Sequence, residues 1–516
     1  MMPHRHTRGA APWRNARHYA GGSAVADASP GSATIAPLPP AATSGPHPLA
    51  EEAITQTLRQ RSTAIDEAFS AIEPALKALA PRQFQPDFAE FARDDLKARL
   101  GIKIPAKAFA ASWSAPLDMR ELHAKCVIAT FRRFLDGAAH RDQLATSDGE
   151  PVAELIRRWG FHAVDVSPCA DGRLAGLLDH ILRVPPGIVV ARRSYAGAMF
   201  DIPESLRQWE VVELSRWRHG TPNPADQPTR YLKIGVYHFS SLDPKHEGCA
   251  AHCSDDHRAA SSLLKRLNQF SKAVANTHGA ANAVAILLVG VDTDTDAIRV
   301  HVPDANGETS IDRFVDSAKQ HAATYNLPRE EAKEAIRKAV AECAGVGIDD
   351  LATEGMRWFC GYLVKNNIAQ VDAVRHAYGG AYPDKGHTER LMIVGDSLDE
   401  VQLRNLAFQA QMGTIEEGET DLRIGLKILI KLYKKRSLSV PVLVHVRFDE
   451  RIPGAKNHAE ERAARMAKEI RRRYRRRHKP QDIMVETLIR PAEESGLNAD
   501  ALGANPVFNL RQERLQ

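Results

Sequence analysis

Residues 167–173 read Ser-Pro-Cys-Ala-Asp-Gly-Arg, and what flanks this heptapeptide indicates the architecture of the chain. The apolar run 161–166 precedes it and a helical pattern follows it, which predicts a strand, a tight turn and a helix. Ligands of open α/β sheets bind at the carboxyl ends of strands. In an extended turn Cys169, Asp171 and Arg173 point roughly the same way, so a thiolate, a carboxylate and a guanidinium leave one strand together.

A second apolar stretch, residues 231–238, reads as another buried strand and ends in His238. The sequence Gly-Cys-Ala-Ala follows at 248–251 and supplies Cys249. Two cysteines and one histidine at strand ends form a ligand set for zinc, and three protein ligands leave the fourth position open, as in catalytic sites. The sequence therefore predicts a catalytic zinc site with Cys169, His238 and Cys249 as ligands.

The pattern Cys-x-Asp-x-Arg followed by His and Cys resembles the motif of the β-class carbonic anhydrases. The usual His-x-x-Cys spacing of that class occurs at His246 and Cys249, whereas His238 lies eleven residues before Cys249. The long spacing, the phrase Tyr-His-Phe-Ser-Ser-Leu-Asp-Pro at 237–244 and the chain length resemble the carboxysome shell carbonic anhydrases, a divergent β-class group formerly called ε-class. This resemblance runs from about residue 50 to the C-terminus.

The resemblance implies reversible hydration of carbon dioxide to bicarbonate with one Zn²⁺ per chain. It assigns the ligand role to the strand-end His238, and His246 in the following loop remains the alternative. Asp171, held by Arg173, would orient a zinc hydroxide that attacks carbon dioxide. His387 is the candidate proton carrier, because imidazole titrates near neutral pH.

The resemblance also implies an enzyme inside the carboxysome of the bacterial cytoplasm, in the lumen or on the inner face of the shell, that feeds carbon dioxide to RuBisCO. The expected assembly is a homodimer or a multiple of dimers. Residues 1–48 are poor in Leu, Ile and Val and predict a disordered tail. With Trp13 and Tyr19 as anchors, the tail either binds RuBisCO, a shell protein or a scaffold protein, or only solubilises the chain.

The predicted fold is an α/β catalytic core of β-carbonic-anhydrase type, duplicated in a metal-free C-terminal copy and preceded by a helical domain and the tail. The predicted segments are the tail at 1–48, the helical domain at 49–150, the catalytic zinc domain at 151–385 and the degenerate copy at 386–516. Strands are predicted at 161–166, 187–192, 231–238 and 282–291, and helices at 50–79, 86–100, 119–135, 174–182, 259–273, 309–325, 328–343 and 353–378.

The hypothesis of duplication rests on strand patterns that recur at 390–396, 440–448 and 482–489. One constant offset places Phe239 on Phe448. The equivalent positions at the metal site are Cys169 with Ser397, His238 with Arg447, and Cys249 with His458. Because no complete soft ligand set survives, the copy is expected to lack a metal.

The composition excludes several classes of protein. Hydrophobic content of 43% and charged content of 26% are ordinary for a soluble globular protein. No apolar run reaches eighteen residues, so a membrane is not an expected partner. Six irregularly spaced cysteines indicate a reducing compartment. Among them, Cys253 is either a spare thiol or a redox partner of Cys249.

A net charge of +5 does not predict nucleic-acid binding by the whole chain, but basic residues cluster at Arg471–Arg477. The cluster is either a solvated helix end or a patch for phosphate or nucleic acid. It supports the alternative function, a zinc-containing structural or RNA-binding protein, which would leave Asp171 and Arg173 without a task. A zinc deaminase would need Pro-Cys-x-x-Cys, and no second cysteine follows Cys169 at that spacing.

Overall fold

The computed structural model describes most of the chain beyond the N-terminal tail. The described residues are 45–109, 117–137, 156, 158–184, 189–218, 230–279, 283–348, 355–384, 386–396, 398, 403–475 and 482–491. Trp13, Tyr19, Ser397 and the end of the arginine run lie outside them. Within this part of the chain, no helix is both long and apolar enough to cross a membrane.

The predicted helical N-terminal region is confirmed. Its α-helices are α1 (Glu52–Ser70), α2 (Ile72–Leu79), α3 (Phe88–Leu100) and α4 (Met119–Gly137). The prediction of one helix over 50–79 is wrong, because α1 and α2 are separate and meet at Ala71. Pro74 lies in the first turn of α2 and has no N–H to donate to the carbonyl of Ser70, which interrupts the helical hydrogen bonding there.

The catalytic region holds a six-stranded sheet in the order β2–β1–β3–β4–β5–β6. Its strands are β1 (Ala163–Pro168), β2 (Val189–Arg192), β3 (Tyr231–Phe239), β4 (Val284–Asp292), β5 (Ile298–His301) and β6 (Val315–Asp316). Strands β1 to β4 are parallel, as predicted, while β5 and β6 run antiparallel. Every residue of β3 is buried, as expected for a parallel strand covered on both faces.

Two sequence predictions in this region are wrong. The segment 309–325 was predicted as one helix, but it contains β6 before its helix begins at Ser317. The segment 174–182 was predicted as one helix. Instead, a 3₁₀ turn at Gly172–Leu174 ends at its first residue, and a π-helical turn at Leu177–Leu182 follows. Glycines at both ends of the first turn of this segment weaken a regular α-helix there.

In the catalytic region, α-helices pack against the sheet and against one another. They are α5 (Ile202–Arg218), α6 (Asp256–His278), α7 (Ser317–Thr324), α8 (Arg329–Ala344) and α9 (Gly355–Tyr378). The apolar residues of β1, β3 and β4 form one core with those of α6, α8 and α9. This core fixes the strand ends at which the predicted ligands lie.

The C-terminal region contains a second parallel sheet in the order β10–β9–β7–β8. Its elements are β7 (Leu391–Gly395), β8 (Ala407–Gln411), β9 (Val440–Phe448), β10 (Ile483–Pro491), α10 (Glu419–Lys435) and α11 (Ala455–Arg475). Read from β8, the order β8–β7–β9–β10 repeats the order β2–β1–β3–β4 of the first four strands. Strand β8 was not predicted, because two of its five residues are glutamine and its apolar signal is therefore weak.

The N-terminal helices cover one face of the second sheet. Alternate residues of β7 face opposite sides, so Leu391 and Ile393 join the core of α2, α3 and α4. Met392 and Val394 instead join the core formed by α10 and α11. The helical N-terminal region therefore buries a sheet that belongs to the other end of the chain.

Candidate metal centre

The structure brings Cys169, His238 and Cys249 together. Cys169 directly follows β1 and His238 lies near the end of β3, and these strands pair in parallel with Pro168 beside Val236. The two cysteine sulfurs are 3.9 Å apart, and one ligand atom from each of the three side chains lies within 4.8 Å of the others. All three residues are buried.

The arrangement fits a metal ion. Neither ring nitrogen of His238 makes a hydrogen bond of regular geometry, although the residue is only 1% exposed and its Nε2 lies 3.1 Å from Asp171 Oδ2. A buried polar group without a partner is costly, and coordination to a metal would satisfy one nitrogen. Two thiols and an imidazole are the soft donor set that zinc takes at about 2.0–2.3 Å in tetrahedral sites.

The ligand side chains perturb one another electrostatically. The hydrogen bond with Cys249 and burial raise the pKa of the Cys169 thiol, whereas the same bond lowers the pKa of Cys249. Burial lowers the pKa of His238, but the charges of Asp171 and Cys169 outweigh burial and raise it to about 9. Protons and a metal ion therefore compete for these side chains.

Asp171 and Arg173 form a buried two-pronged ion pair beside the ligands. Arg173 Nε donates to Asp171 Oδ1 at 2.9 Å, and Arg173 Nη2 donates to Asp171 Oδ2 at 2.8 Å. The third nitrogen, Nη1, donates to the carbonyl of Glu247 at 2.8 Å and to Thr293 Oγ1 at 3.3 Å. Asp171 Oδ2 lies 3.1 Å from His238 Nε2.

This pair fixes the charge of the carboxylate. Burial alone would raise the pKa of Asp171, but Arg173 and the imidazoles of His238 and His387 hold that pKa well below its usual range. An ionised carboxylate can only accept hydrogen bonds. Asp171 is thus an obligate acceptor immediately beside the three ligands.

The alternative ligand, His246, lies elsewhere. Its side chain is 75% exposed and its Nδ1 lies 2.8 Å from Asp243 Oδ1 on the surface. Cys253 is exposed, in the left-handed region at a φ of 58°, and is not part of the ligand group. Of the two candidate histidines, His238 and His246, the structure therefore places His238 within ligand distance of Cys169.

His387 lies beside this site and has a partner that the sequence analysis missed. Its Nε2 is 3.7 Å from Asp171 Oδ2, and its Nδ1 is 2.8 Å from Glu389 Oε1. Burial lowers the pKa of His387, but Asp171 and Glu389 outweigh burial and raise it to about 9. The spacing His-Thr-Glu just before a strand could have revealed Glu389, because alternate residues of an extended segment share a side.

A buried acidic turn after β4 was also missed. Asp292 accepts from Ser241 N at 3.0 Å and from Ser241 Oγ at 2.7 Å. Asp294 accepts from Ser240 Oγ at 2.7 Å and from Leu242 N at 2.9 Å. Burial raises the pKa of Asp292 to about 6. The turn holds the start of the loop that connects two of the candidate ligands.

The structure says less about the C-terminal positions that correspond to the three candidate ligands. Ser397 lies outside the described residues. In the described part of the chain, the groups of side chains that could hold a metal are Cys169, His238 and Cys249, and beside them Asp171, His387 and Glu389. Within the arginine run, Arg471 donates to the carbonyl of Val485 at 2.5 Å, and Arg472 and Arg473 pair with Glu469. These three arginines therefore have intramolecular partners at the end of α11.

Comparisons with known proteins agree with this arrangement. Three family descriptions match the chain, namely Carboxysome Shell Carbonic Anhydrase, N-terminal at 47–139, catalytic domain at 151–387 and C-terminal at 388–504. The chain is 38% identical over 436 residues to the carboxysome shell carbonic anhydrase of Hydrogenovibrio crunogenus, covering 83% of this chain and 82% of the relative. It is 39% identical over 437 residues to that of Halothiobacillus neapolitanus, covering 83% and 84%. The chain therefore belongs to the carboxysome shell carbonic anhydrase family.

Proposed function

We propose that this carboxysomal carbonic anhydrase hydrates carbon dioxide at one zinc ion held by Cys169, His238 and Cys249, and that it supplies carbon dioxide to RuBisCO. The observation that carries the proposal is the buried imidazole of His238, whose ring nitrogens make no hydrogen bond of regular geometry and which lies within ligand reach of both cysteine sulfurs. When bound, the metal lowers the pKa of water toward about 7.

Asp171 orients the reacting water. Since its carboxylate is ionised and accepts only, it takes the hydrogen bond of the water and turns a lone pair of the water oxygen toward carbon dioxide. Arg173 keeps both carboxylate oxygens in place, because its guanidinium is fixed at all three nitrogens. The backbone carbonyl of Glu247 thereby links the loop that carries Cys249 to this pair.

The catalytic core at 151–385 is of β-carbonic-anhydrase type, and 386–516 is a degenerate copy of it. The recurrence of the strand order supports this proposal. The helical segment 49–150 covers the copy. One chain then contains the working and the silent half of a β-class pair, and whole chains associate as dimers.

Metal content and hydration rate test the proposal on wild type, His238→Ala and His246→Ala. We expect about one zinc per chain and rapid hydration in wild type, both lost in His238→Ala. His246→Ala is the matched control, because its imidazole is exposed and removed from the ligand group. Zinc lost only from His246→Ala would overturn the ligand assignment. Zinc bound without hydration activity would favour the structural alternative.

A further inference from the structure

His387 lies between two carboxylates that come from different parts of the chain. Its Nε2 faces Asp171 in the turn formed by residues 169–173, here called the catalytic turn, and its Nδ1 contacts Glu389 just before β7. Arg173 is the nearby cation that acts on the same imidazole. The side chain of His387 is 18% exposed, so the ring is in contact both with the buried ion pair and with solvent.

Glu389 is buried to a degree that is unusual for a glutamate. Its side chain is fully inaccessible, Oε1 accepts from Gly172 N at 3.2 Å in addition to contacting His387, and Oε2 makes no hydrogen bond. A Cβ atom at Gly172 would collide with Glu389 Cγ, so the carboxylate lies directly against the catalytic turn. A buried carboxylate is costly unless it is paired, and a neutral side chain would fill this space without that cost.

We propose that Glu389 is a positioning residue for the hydration reaction: it holds His387 with Nδ1–H toward itself and Nε2 toward Asp171, so that His387 carries the released proton to solvent. This inference rests on the proposed function of the same site. Glu389 Oε1 already accepts from Gly172 N, so its contact with His387 places the proton on Nδ1 of the ring. The remaining nitrogen is then the one that faces the reacting water.

The proton balance of the reaction gives His387 its task. Water and carbon dioxide yield bicarbonate and one proton in each turnover. That proton passes from the water beside Asp171 to Nε2 of His387 in its neutral form, which prevails at pH values above its raised pKa of about 9, and the imidazolium releases it from Nε2 to buffer. Glu389 stabilises the imidazolium in between and prevents the ring from turning. It also hydrogen-bonds the Gly172 amide, which ties the ring to the catalytic turn.

The test compares wild type with Glu389→Gln, His387→Ala and the double variant in dilute and in concentrated imidazole buffer. Glutamine keeps the shape of Glu389 and removes the charge that makes it an obligate acceptor. We expect about a tenfold lower kcat for each variant in dilute buffer, with kcat/KM and zinc content unchanged, because proton transfer and not substrate binding is affected. Concentrated imidazole restores kcat, and the double variant is no slower than His387→Ala.

The matched control is Asp421→Asn. Asp421 is a partly buried carboxyl group of the C-terminal region that touches the catalytic region, since it accepts from Ala196 N at 3.2 Å. Any loss in this variant should not respond to buffer, because it does not contact His387. A loss in Glu389→Gln that buffer does not restore, or an unchanged kcat in dilute buffer, would overturn the inference.

A measurement without turnover keeps the inference testable even if Glu389→Gln fails to fold. The ¹⁵N spectrum of histidine-labelled protein, with the His387 signals assigned by their loss in His387→Ala, reports the tautomer at alkaline pH. We expect neutral His387 with its proton on Nδ1, and a proton on Nε2 would contradict the positioning role. Absence of zinc or of hydration in wild type would instead overturn the proposed function.

Discussion

Among single residues, Arg173 is the one whose geometry is most completely specified. Its guanidinium donates to both oxygens of Asp171, to the Glu247 carbonyl and to Thr293. A lysine would bring the same charge as a point on a flexible stem and could not form the fork. The catalytic contribution that we propose for Arg173 therefore lies in orientation as well as in charge.

We expect Arg173→Lys to lower the hydration rate by about 100-fold or more while zinc stays bound, because a small misplacement of Asp171 disorients the reacting water. Stopped-flow hydration assays and zinc content measure the two effects. Asp171→Asn provides the comparison, since it keeps the shape of the carboxylate and loses its charge. A near-normal rate in Arg173→Lys would show that the fork is dispensable.

His123 provides a prediction about pH and stability that is independent of the metal site. It lies in α4, is 4% exposed, and packs edge-on against Tyr433 at a ring separation of 6.2 Å. Burial lowers the pKa of His123 to about 4 from its ordinary value of 6.5. The unfolded chain therefore binds more protons between these values, so the stability contributed by neutral His123 is complete above pH 6.5 and is lost as the pH falls through 4.

His123→Phe should remove this loss because phenylalanine cannot take up a proton. As the pH falls from 6.5 to 4, we expect the free energy of unfolding of the variant to exceed that of wild type by a growing difference, which reaches on the order of 3 kcal/mol. Denaturant titrations across that range measure the difference. His257→Phe, at an exposed position of α6, should show no such gain. Parallel stability curves for wild type and His123→Phe would contradict the argument.

At the level of elements, the acidic turn after β4 positions the loop between His238 and Cys249. Asp292 binds Ser241 through both the amide and the hydroxyl, and its Oδ2 also accepts from Thr295 Oγ1 at 2.6 Å. Without Asp292 the loop would be free to shift, and with it the approach of Cys249 to the other ligands. The turn thus extends the influence of β4 to the metal site.

We expect Asp292→Ala to weaken zinc binding by about 10-fold to 100-fold, as loss of a group that orients ligands does. Competition with a chelator measures the affinity. Asp304→Ala is the matched control, because Asp304 also accepts from backbone amides of a turn, at Asn306 and Glu308, but at the surface. Equal zinc affinity in wild type and Asp292→Ala would refute the positioning role of the turn.

The sequence predicted the elements with strong periodicity and the residues close to the motif. Strands β1 and β3 are mostly apolar and buried, and their pairing brings Cys169 close to His238. The contact of Glu389 with Gly172 could not be assigned from periodicity, because it joins residues far apart in the chain. Short elements such as β6, with two residues, carry no periodic signal.

Across the whole molecule, the C-terminal region supports the catalytic turn from several directions. Asn405 N donates to the Gly172 carbonyl at 2.7 Å, and Gln411 Oε1 accepts from Ser194 N at 3.0 Å. Ala170, next to Cys169 in the catalytic turn, belongs to the core of the C-terminal sheet. The C-terminal region can therefore be essential to activity, because it forms the wall against which the turn that carries Cys169 packs.

The N-terminal helices should in turn be needed for folding although they contribute nothing to the site. Deleting residues 1–139 would expose the apolar face of the second sheet, including Leu391 and Ile393, so we expect insoluble protein. Deleting residues 1–44 leaves this core intact and should preserve zinc and hydration. Soluble fraction and zinc content distinguish the two truncations. A soluble and active product of the longer deletion would show that the sheet does not need its helical cover.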